Sequence, residues 1–178
     1  MKHGPLLAFA IVLLPFPAMA KEGPKPVCEA VPLAEPWTSW TQSGSAVAGG
    51  DSLTAPRLIL GKPVTAALRP VAYVQYAAAP GKDAGKGQGG LFTLALKSPA
   101  RVGIALSDAA WVDIVDGDMA VAAVDHGHGP DCSGIRKIVW FELKEGTHIV
   151  QIAGAPSRKI RVMAADARAN QPVPQRGF

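Results

Sequence analysis

The chain has 178 residues and a net charge of +4, and 48% of its residues are hydrophobic while 18% are charged. This composition excludes a disordered chain, and the 19 glycines and 16 prolines have no Gly-X-Y period, which excludes collagen. The length suits one domain, and the frequent glycines and prolines predict many turns and few long helices. Because the positive charge is spread along the chain, no nucleic-acid partner is expected.

Residues 1–20 have the pattern of a secretory signal peptide. A basic start at Lys2 is followed by the apolar run 6–14, which is shorter than the about 20 residues of a membrane-spanning helix. The small residues within 18–20 predict cleavage before Lys21 and a periplasmic or secreted protein, the alternative being an N-terminal membrane anchor. No later apolar run is long enough to span a bilayer, so no membrane span is expected after cleavage.

Two cysteines occur, Cys28 and Cys132. In an oxidising compartment they would form the one intramolecular disulfide that the chain offers. Closing a loop of about 104 residues is worth about 4–5 kcal/mol in the chain-entropy model. Two free thiols, or a metal ligand at Cys132, are the alternatives.

The rest of the chain divides into an arm and a region of short apolar runs. Residues 21–57 are rich in proline and have weak periodicity, which predicts an irregular arm anchored on the body by Trp37 and Trp40. Between residues 58 and 164 apolar runs with a period of two alternate with turn residues, as strands do. These runs cover 58–60, 64–68, 71–76, 91–96, 101–106, 111–115, 119–124, 135–143, 147–153 and 159–163.

The pattern predicts an all-β fold, an antiparallel β-sandwich or jelly roll of eight to nine short strands with an irregular N-terminal arm. Turn residues at 116–118 and 144–146 predict hairpins. The connections are too short for the crossover helices of a parallel sheet. The tail, 165–178, is predicted to be flexible, with a short helix near 164–169 as an alternative.

Longer sequence segments of the chain resemble two groups of bacterial proteins. Residues 90–163 resemble the bacterial pre-peptidase C-terminal β-sandwich in GLFTLAL, ARVGIALS, AWVDIVDGD and VWFELKEGTHIVQIAG, which implies a secretion, stability or surface-binding module. Most of the chain resembles short secreted bacterial proteins, some named homogentisate 1,2-dioxygenase, in AWVDIVDG, HGHGPDCSGIRKIVWFEL and IVQIAGA. That name implies iron held by two histidines and a glutamate. Here Glu142 lies fourteen residues after His128, within a predicted strand.

The loop at residues 125–134 carries the most chemically reactive side chains. On a β-type segment His126 and His128 would point to one side, an arrangement that suits a transition metal. The alternative is a glycine-rich turn held by a disulfide at Cys132, with solvated histidines, and no cofactor is preferred. Candidates to complete a metal site are Asp125, Asp131 and His148.

Two further groups are candidate sites. Asp113, Asp116 and Asp118 crowd one turn and could hold calcium, although a tight turn alone also explains such residues. Trp37 and Trp40 could stack on a sugar instead of anchoring the arm. The same stacking platform could include Tyr73, Tyr76, Trp111 and Trp140, although a tryptophan within a strand usually packs in the core.

We therefore expect an exported, non-enzymatic β-sandwich that serves as a binding or accessory module of the cell envelope, with an envelope protein or glycan as partner. The alternative is a metal-dependent enzyme that uses His126 and His128, such as a ring-cleaving dioxygenase. No Gly-x-Ser-x-Gly nucleophile motif is present. Arg136 and Lys137 could receive an anion, although strand alternation would separate them.

Overall fold

The computed structural model describes residues 28–29, 32–81 and 84–170. The predicted signal peptide, its cleavage site and residues 171–178 of the predicted tail lie outside these ranges. The described part is all-β, as predicted, and has twelve strands where eight or nine were expected. The strands are β1 (Ser45–Val47), β2 (Arg57–Leu58), β3 (Val64–Ala67), β4 (Arg69–Pro70), β5 (Gln88–Leu96), β6 (Ala100–Leu106), β7 (Trp111–Asp116), β8 (Met119–Val121), β9 (Asp125–Gly127), β10 (Lys137–Leu143), β11 (Gly146–Ala155) and β12 (Lys159–Asp166).

The strands form two sheets. The first sheet has the order β1-β3-β12-β6-β10-β9, and the second has the order β2-β5-β11-β7-β8 with β4 also pairing β5. Most neighbours are antiparallel, but β1 pairs β3 and β2 pairs β5 in parallel. β1 lies within the segment 21–57 predicted to be an irregular arm, and β2 begins at the last residue of that segment, so part of the arm belongs to the sheets.

Most connections carry the chain from one sheet to the other. β10 pairs β6 and β9, whereas β11 pairs β5 and β7, so the predicted hairpin at 144–146 is wrong. The next strand along the chain can either pair in the same sheet or lie in the facing sheet. In both cases its alternate side chains are buried, so the sequence pattern is the same for the two arrangements. The predicted hairpin at 116–118 is confirmed, because β7 and β8 pair with Gly117 at φ +63° in the turn.

The main core lies between the sheets. The predicted inward-facing residues of two strands are buried there, among them Phe92 and Leu94 of β5 and Val102 and Ile104 of β6. The same cluster takes Leu106 of β6 and alternate residues from β7, β10, β11 and β12: Val112, Ile114, Val139, Phe141, Leu143, Val150, Ile152, Ile160 and Val162.

A second, smaller cluster lies on the outer side of the first sheet. Trp37 and Trp40 are 6% and 3% exposed and pack there with Ile138 and Met163. Arg161 fixes this arm by donating hydrogen bonds to the carbonyl oxygens of Trp40 and Gln42 at 2.7 and 2.8 Å. The anchoring role of the two tryptophans is thus confirmed, and the stacking interpretation is corrected because their buried rings have no face free for a sugar.

The predicted disulfide between Cys28 and Cys132 is present. It joins the beginning of the described chain to the loop that precedes β10. Together with the Trp37 and Trp40 contacts, it holds the arm against the first sheet.

One local prediction was wrong, and one region kept part of its stated alternative. Residues 71–73 form a short 3-10 helix with no buried side chain, where a strand over 71–76 was expected. The tail was predicted to be flexible from residue 165, with a short helix near 164–169 as the alternative. In the structure β12 continues to Asp166 with Ala164 and Ala165 buried, and a 3-10 helix follows at Ala167–Asn170. Among the described residues, no helix has the length and apolar character needed to cross a membrane.

Candidate functional site

A cleft of about 430 Å³ opens at the side of the sandwich where β8 leads into β9. We call it the edge cleft. Apolar walls come from Val121, Val139 and Phe141, which also contact the main core. Four side chains able to recognise polar groups line it as well: Trp111, Asp113, His126 and Lys137. The volume lies within the range of about 300–1,000 Å³ typical of small-molecule sites.

Strand register brings two of the polar residues to the cleft. His126 of β9 lies directly opposite Val139 of β10, so both side chains point to the same face of the first sheet. Lys137 precedes Val139 by two residues and therefore shares that face. Since Val139 is in the main core, the imidazole and the amine both point between the sheets at their open side.

A hydrogen-bond network that ends on the buried Gln151 holds the indole of Trp111. Its Nε1 donates to Oδ1 of Asp113 at 2.7 Å, and Nε2 of Gln151 donates to Oδ2 of the same carboxylate at 3.2 Å. Gln151 is 1% exposed and also bonds both backbone groups of Ala78, at 3.0 and 3.3 Å. Gly81 lies against the indole, where a side chain would collide with the ring. The carboxylate of Asp113 is therefore engaged in positioning Trp111.

Lys137 is the cation of the cleft. Its Nζ donates to the carbonyl oxygen of Ala110 at 3.1 Å and lies 5.4 Å from the ring centroid of Trp111. Burial lowers the pKa of Lys137, and the nearby Asp113 carboxylate opposes that shift. An ammonium group has three N–H donors, so two remain for a ligand.

The structure does not assemble the predicted transition-metal site. His126 lines the edge cleft, whereas Nδ1 of His128 lies 2.8 Å from the carbonyl oxygen of Arg136. Asp125 is paired with Arg101 at 3.3 Å, and Asp131 is exposed. Throughout the described ranges, no three His, Cys, Asp or Glu side chains are grouped so that they could hold a metal ion.

His148 also lies away from the predicted set. It is 2% exposed at one end of β11, with Nε2 3.0 Å from the carbonyl oxygen of Lys144. Its Nδ1 faces Oδ1 of Asp116 at 3.9 Å. The ring is held by the fold and does not complete a site with His126.

The three aspartates of the predicted calcium site also do not face one point. Asp113 and Asp116 lie at odd and even positions of β7, so their side chains point to opposite faces of the sheet. Asp113 bonds Trp111 and Gln151, while Asp116 faces His148. Asp118 is an exposed residue of the hairpin turn. The described residues hold no cluster of three such ligands, and the tight turn explains the two that flank Gly117.

Sequence reasoning did not find the edge cleft, because the cleft depends on which sheet each strand joins. Strand alternation did predict that Lys137 and Arg136 point in opposite directions. In the structure Lys137 lines the cleft, whereas Arg136 is exposed outside it. Gln151 was missed, although a glutamine within the apolar run IVQIA was a usable signal that a polar partner faces that strand.

A comparison with protein-family models finds none that matches this chain, and a comparison with curated proteins finds no match either. The two resemblances drawn from the sequence therefore stay predictions.

Proposed function

We propose that the chain is an exported β-sandwich module that binds a component of the cell envelope, a protein or a glycan, in the edge cleft. The observation that carries the proposal is the convergence of Trp111, His126 and Lys137 on one apolar-walled cleft of about 430 Å³. Binding sites commonly combine apolar walls with a few positioned polar groups.

Trp111 and Asp113 of the cleft are held in place before any ligand arrives. Trp111 is fixed by Asp113, and Asp113 is fixed by the buried Gln151. A side chain that is already ordered loses less conformational entropy on binding. Trp111 is nevertheless 42% exposed, so part of the ring is accessible to a ligand.

The disulfide supports the export part of the proposal. Cys28 and Cys132 are both exposed, and such a bond persists in oxidising compartments outside the cytosol. The apolar run at residues 6–14 has the pattern of a signal peptide, which would direct the chain to such a compartment. The mass of the protein recovered from the periplasm or the medium should correspond to a chain that begins at Lys21 and contains no free thiol.

Binding is tested by co-sedimentation of the purified, oxidised protein with washed peptidoglycan and, separately, with envelope membranes. We expect the protein to sediment with one of these fractions and Lys137→Met to weaken its affinity about tenfold, as loss of one charged hydrogen bond does. Lys159→Met removes an exposed charge outside the edge cleft and is the matched control. Equal binding by Lys137→Met and the wild type, or no sedimentation with either fraction, would contradict the proposal.

A further inference from the structure

A second cavity, of about 450 Å³, lies at the end of the sandwich where β5 ends and β6 begins. We call it the end pocket. It is lined by residues 57–60 on one side and by the last residues of β5 and the turn after it on the other. None of these residues lines the edge cleft, and the volume lies within the range of about 300–1,000 Å³ typical of small-molecule sites.

The segment 57–60 is held at both ends, so this wall of the end pocket is ordered. The carbonyl oxygen of Pro56 accepts a hydrogen bond from the backbone N–H of Thr93 in the second sheet at 2.9 Å. The N–H of Gly61 donates to the carbonyl oxygen of Ala164 in the first sheet at 2.8 Å. The segment therefore bridges the two sheets, and a ligand would not have to order it first.

The interior of the end pocket is apolar. Leu58 and Leu96 are 2% and 7% exposed and belong to the main core, and Leu60 packs against the same core. Ile59 also lines the pocket and is 59% exposed. An apolar chain in the pocket would cover Ile59 and remove that surface from water, which is favourable.

Two exposed cations, Arg57 and Lys97, also line the end pocket. Arg57 lies opposite Thr93 of β5, and Lys97 follows the last residue of that strand. Four residues of strand span about 13 Å, so the two long side chains can reach one group that lies between them, near the small side chain of Ala95. In the described part of the chain, neither cation belongs to an ion pair.

The acidic residue of the lining, Asp166, is already paired. Its Oδ1 accepts from the backbone N–H of Arg168 at 2.9 Å, and its Oδ2 accepts from the guanidinium of the same residue at 3.2 Å. Arg168 also donates to the carbonyl oxygen of Pro99, so it joins the end of β12 to the turn between β5 and β6. The end pocket therefore keeps the positive charge of Arg57 and Lys97, which favours a negatively charged ligand.

From the apolar interior and the two cations we infer that the end pocket binds a straight-chain fatty acid, with its chain against the leucines of the pocket and its carboxylate between Arg57 and Lys97. A guanidinium group binds a carboxylate through two parallel N–H donors, and burial of the chain adds affinity. A flat membrane surface would contact the cations but would leave the cavity itself unfilled. This site is additional to the edge cleft and does not depend on a ligand there.

The probe is decanoate, titrated into the purified, oxidised full chain by isothermal titration calorimetry. We expect saturable binding at one site. Decyltrimethylammonium has the same chain with a positive head group, and acetate has the carboxylate without the chain. Each of these should bind at least about tenfold more weakly than decanoate.

Two double variants locate the site. Arg57→Gln with Lys97→Gln removes both cations of the end pocket and should weaken decanoate binding about tenfold or more. Lys62→Gln with Lys159→Gln removes the same net charge from exposed positions outside the pocket and should bind decanoate as the wild type does. Ala95→Phe, which fills the pocket, should also weaken binding.

Four results would overturn the inference. They are no binding of decanoate, equal affinity of the wild type and the Arg57→Gln, Lys97→Gln protein, equal affinity for decanoate and decyltrimethylammonium, and loss of decanoate binding in Lys137→Met. The last would place the ligand in the edge cleft. If phosphatidylglycerol vesicles bind the chain while decanoate does not, the surface meets a membrane and the inference is wrong. The comparison of ligands uses the wild-type chain and so does not depend on the folding of any variant.

Discussion

Lys137 places a charge at the wall of the edge cleft, where burial disfavours it. Burial lowers the pKa of Lys137, so the folded state binds this proton less tightly than the unfolded state does. Its bond to the Ala110 carbonyl and its position near Trp111 recover part of that loss. A charge retained at a folding cost inside a cleft is typical of functional sites.

The first prediction concerns the stability of Lys137→Met. Because the pKa of Lys137 is lower in the folded state, the penalty is fully present below that folded pKa and disappears as pH rises past the unfolded value of 10.5. Lys137→Met should therefore be at least as stable as the wild type at pH 7, with the advantage shrinking toward pH 10. Urea unfolding at both pH values measures it.

The control for this measurement is Lys159→Met, which removes an exposed charge. Its stability difference from the wild type should change little over the same interval. A Lys137→Met protein that is much less stable than the wild type at pH 7 would contradict the prediction, since the amine would then be a net stabilising group.

The second prediction concerns Tyr76. Burial raises its pKa from 10.0 to about 12, and its hydroxyl donates to the Ile152 carbonyl oxygen at 3.3 Å. The unfolded state therefore ionises first, and the stability that Tyr76 contributes is present below pH 10 and is lost as pH rises toward 12.

Tyr73 is the other tyrosine of the chain and is 74% exposed. In Tyr73→Phe, tyrosinate absorbance should report Tyr76 alone and rise near pH 12, with circular dichroism confirming that the fold persists. A transition near pH 10 in the folded protein would show that the hydroxyl is solvated.

At the scale of elements, the N-terminal arm belongs to the fold. β1 extends the first sheet, and Gly49 forms an isolated bridge with Leu91 of β5 in the second, so the arm contacts both. Trp37 and Trp40 cover the outer side of the first sheet, where Ile138 and Met163 would otherwise be exposed. The disulfide at Cys28 ties the beginning of this arrangement to the loop before β10.

The third prediction compares two tryptophans. Trp37→Ala should lower the free energy of unfolding by about 3–5 kcal/mol, because a buried indole is removed and a cavity remains. Trp111→Ala should cost less, because Trp111 is 42% exposed while Trp37 is 6% exposed. Denaturant unfolding of both variants with the disulfide intact provides the comparison. Equal losses, or a larger loss for Trp111→Ala, would contradict the prediction that burial sets the cost of each substitution, and a Trp37→Ala protein as stable as the wild type would mean that the arm does not stabilise the sandwich.

At the scale of the whole molecule, the sequence predicts what depends on local alternation. Phe92 and Leu94 of β5 lie inside as their period of two indicates, and the Cys28–Cys132 bond is present as the expectation of an oxidising compartment predicts. The crossing at 144–146 was not predicted, because paired and facing strands bury the same residues. The edge cleft was not predicted either, because its residues come from both sheets: His126 lies in the first sheet and Trp111 in the second. Predicting it requires knowing which sheet each strand joins.

The described residues do not bring the proposed metal ligands together, for a physical reason that spacing alone does not reveal. His126 and His128 are two residues apart, yet the His128 ring bonds the Arg136 carbonyl as β9 ends. Asp113 and Asp116 are close in sequence but lie on opposite faces of β7. The convergence of side chains depends on where each strand ends and on which residues pair across the sheet. Here His126 pairs with Val139, and Asp113 pairs with Gln151.

The central claim is that the edge cleft is the surface that meets the envelope component. Lysine footprinting tests it most directly: the wild-type protein is reductively methylated free and bound to the envelope fraction with which it sediments, and each lysine is then quantified by mass spectrometry. We predict that binding reduces modification of Lys137 about tenfold, as tight occupancy of its N–H donors requires, and leaves Lys159 unchanged. Unchanged modification of Lys137 in the bound protein would contradict the account.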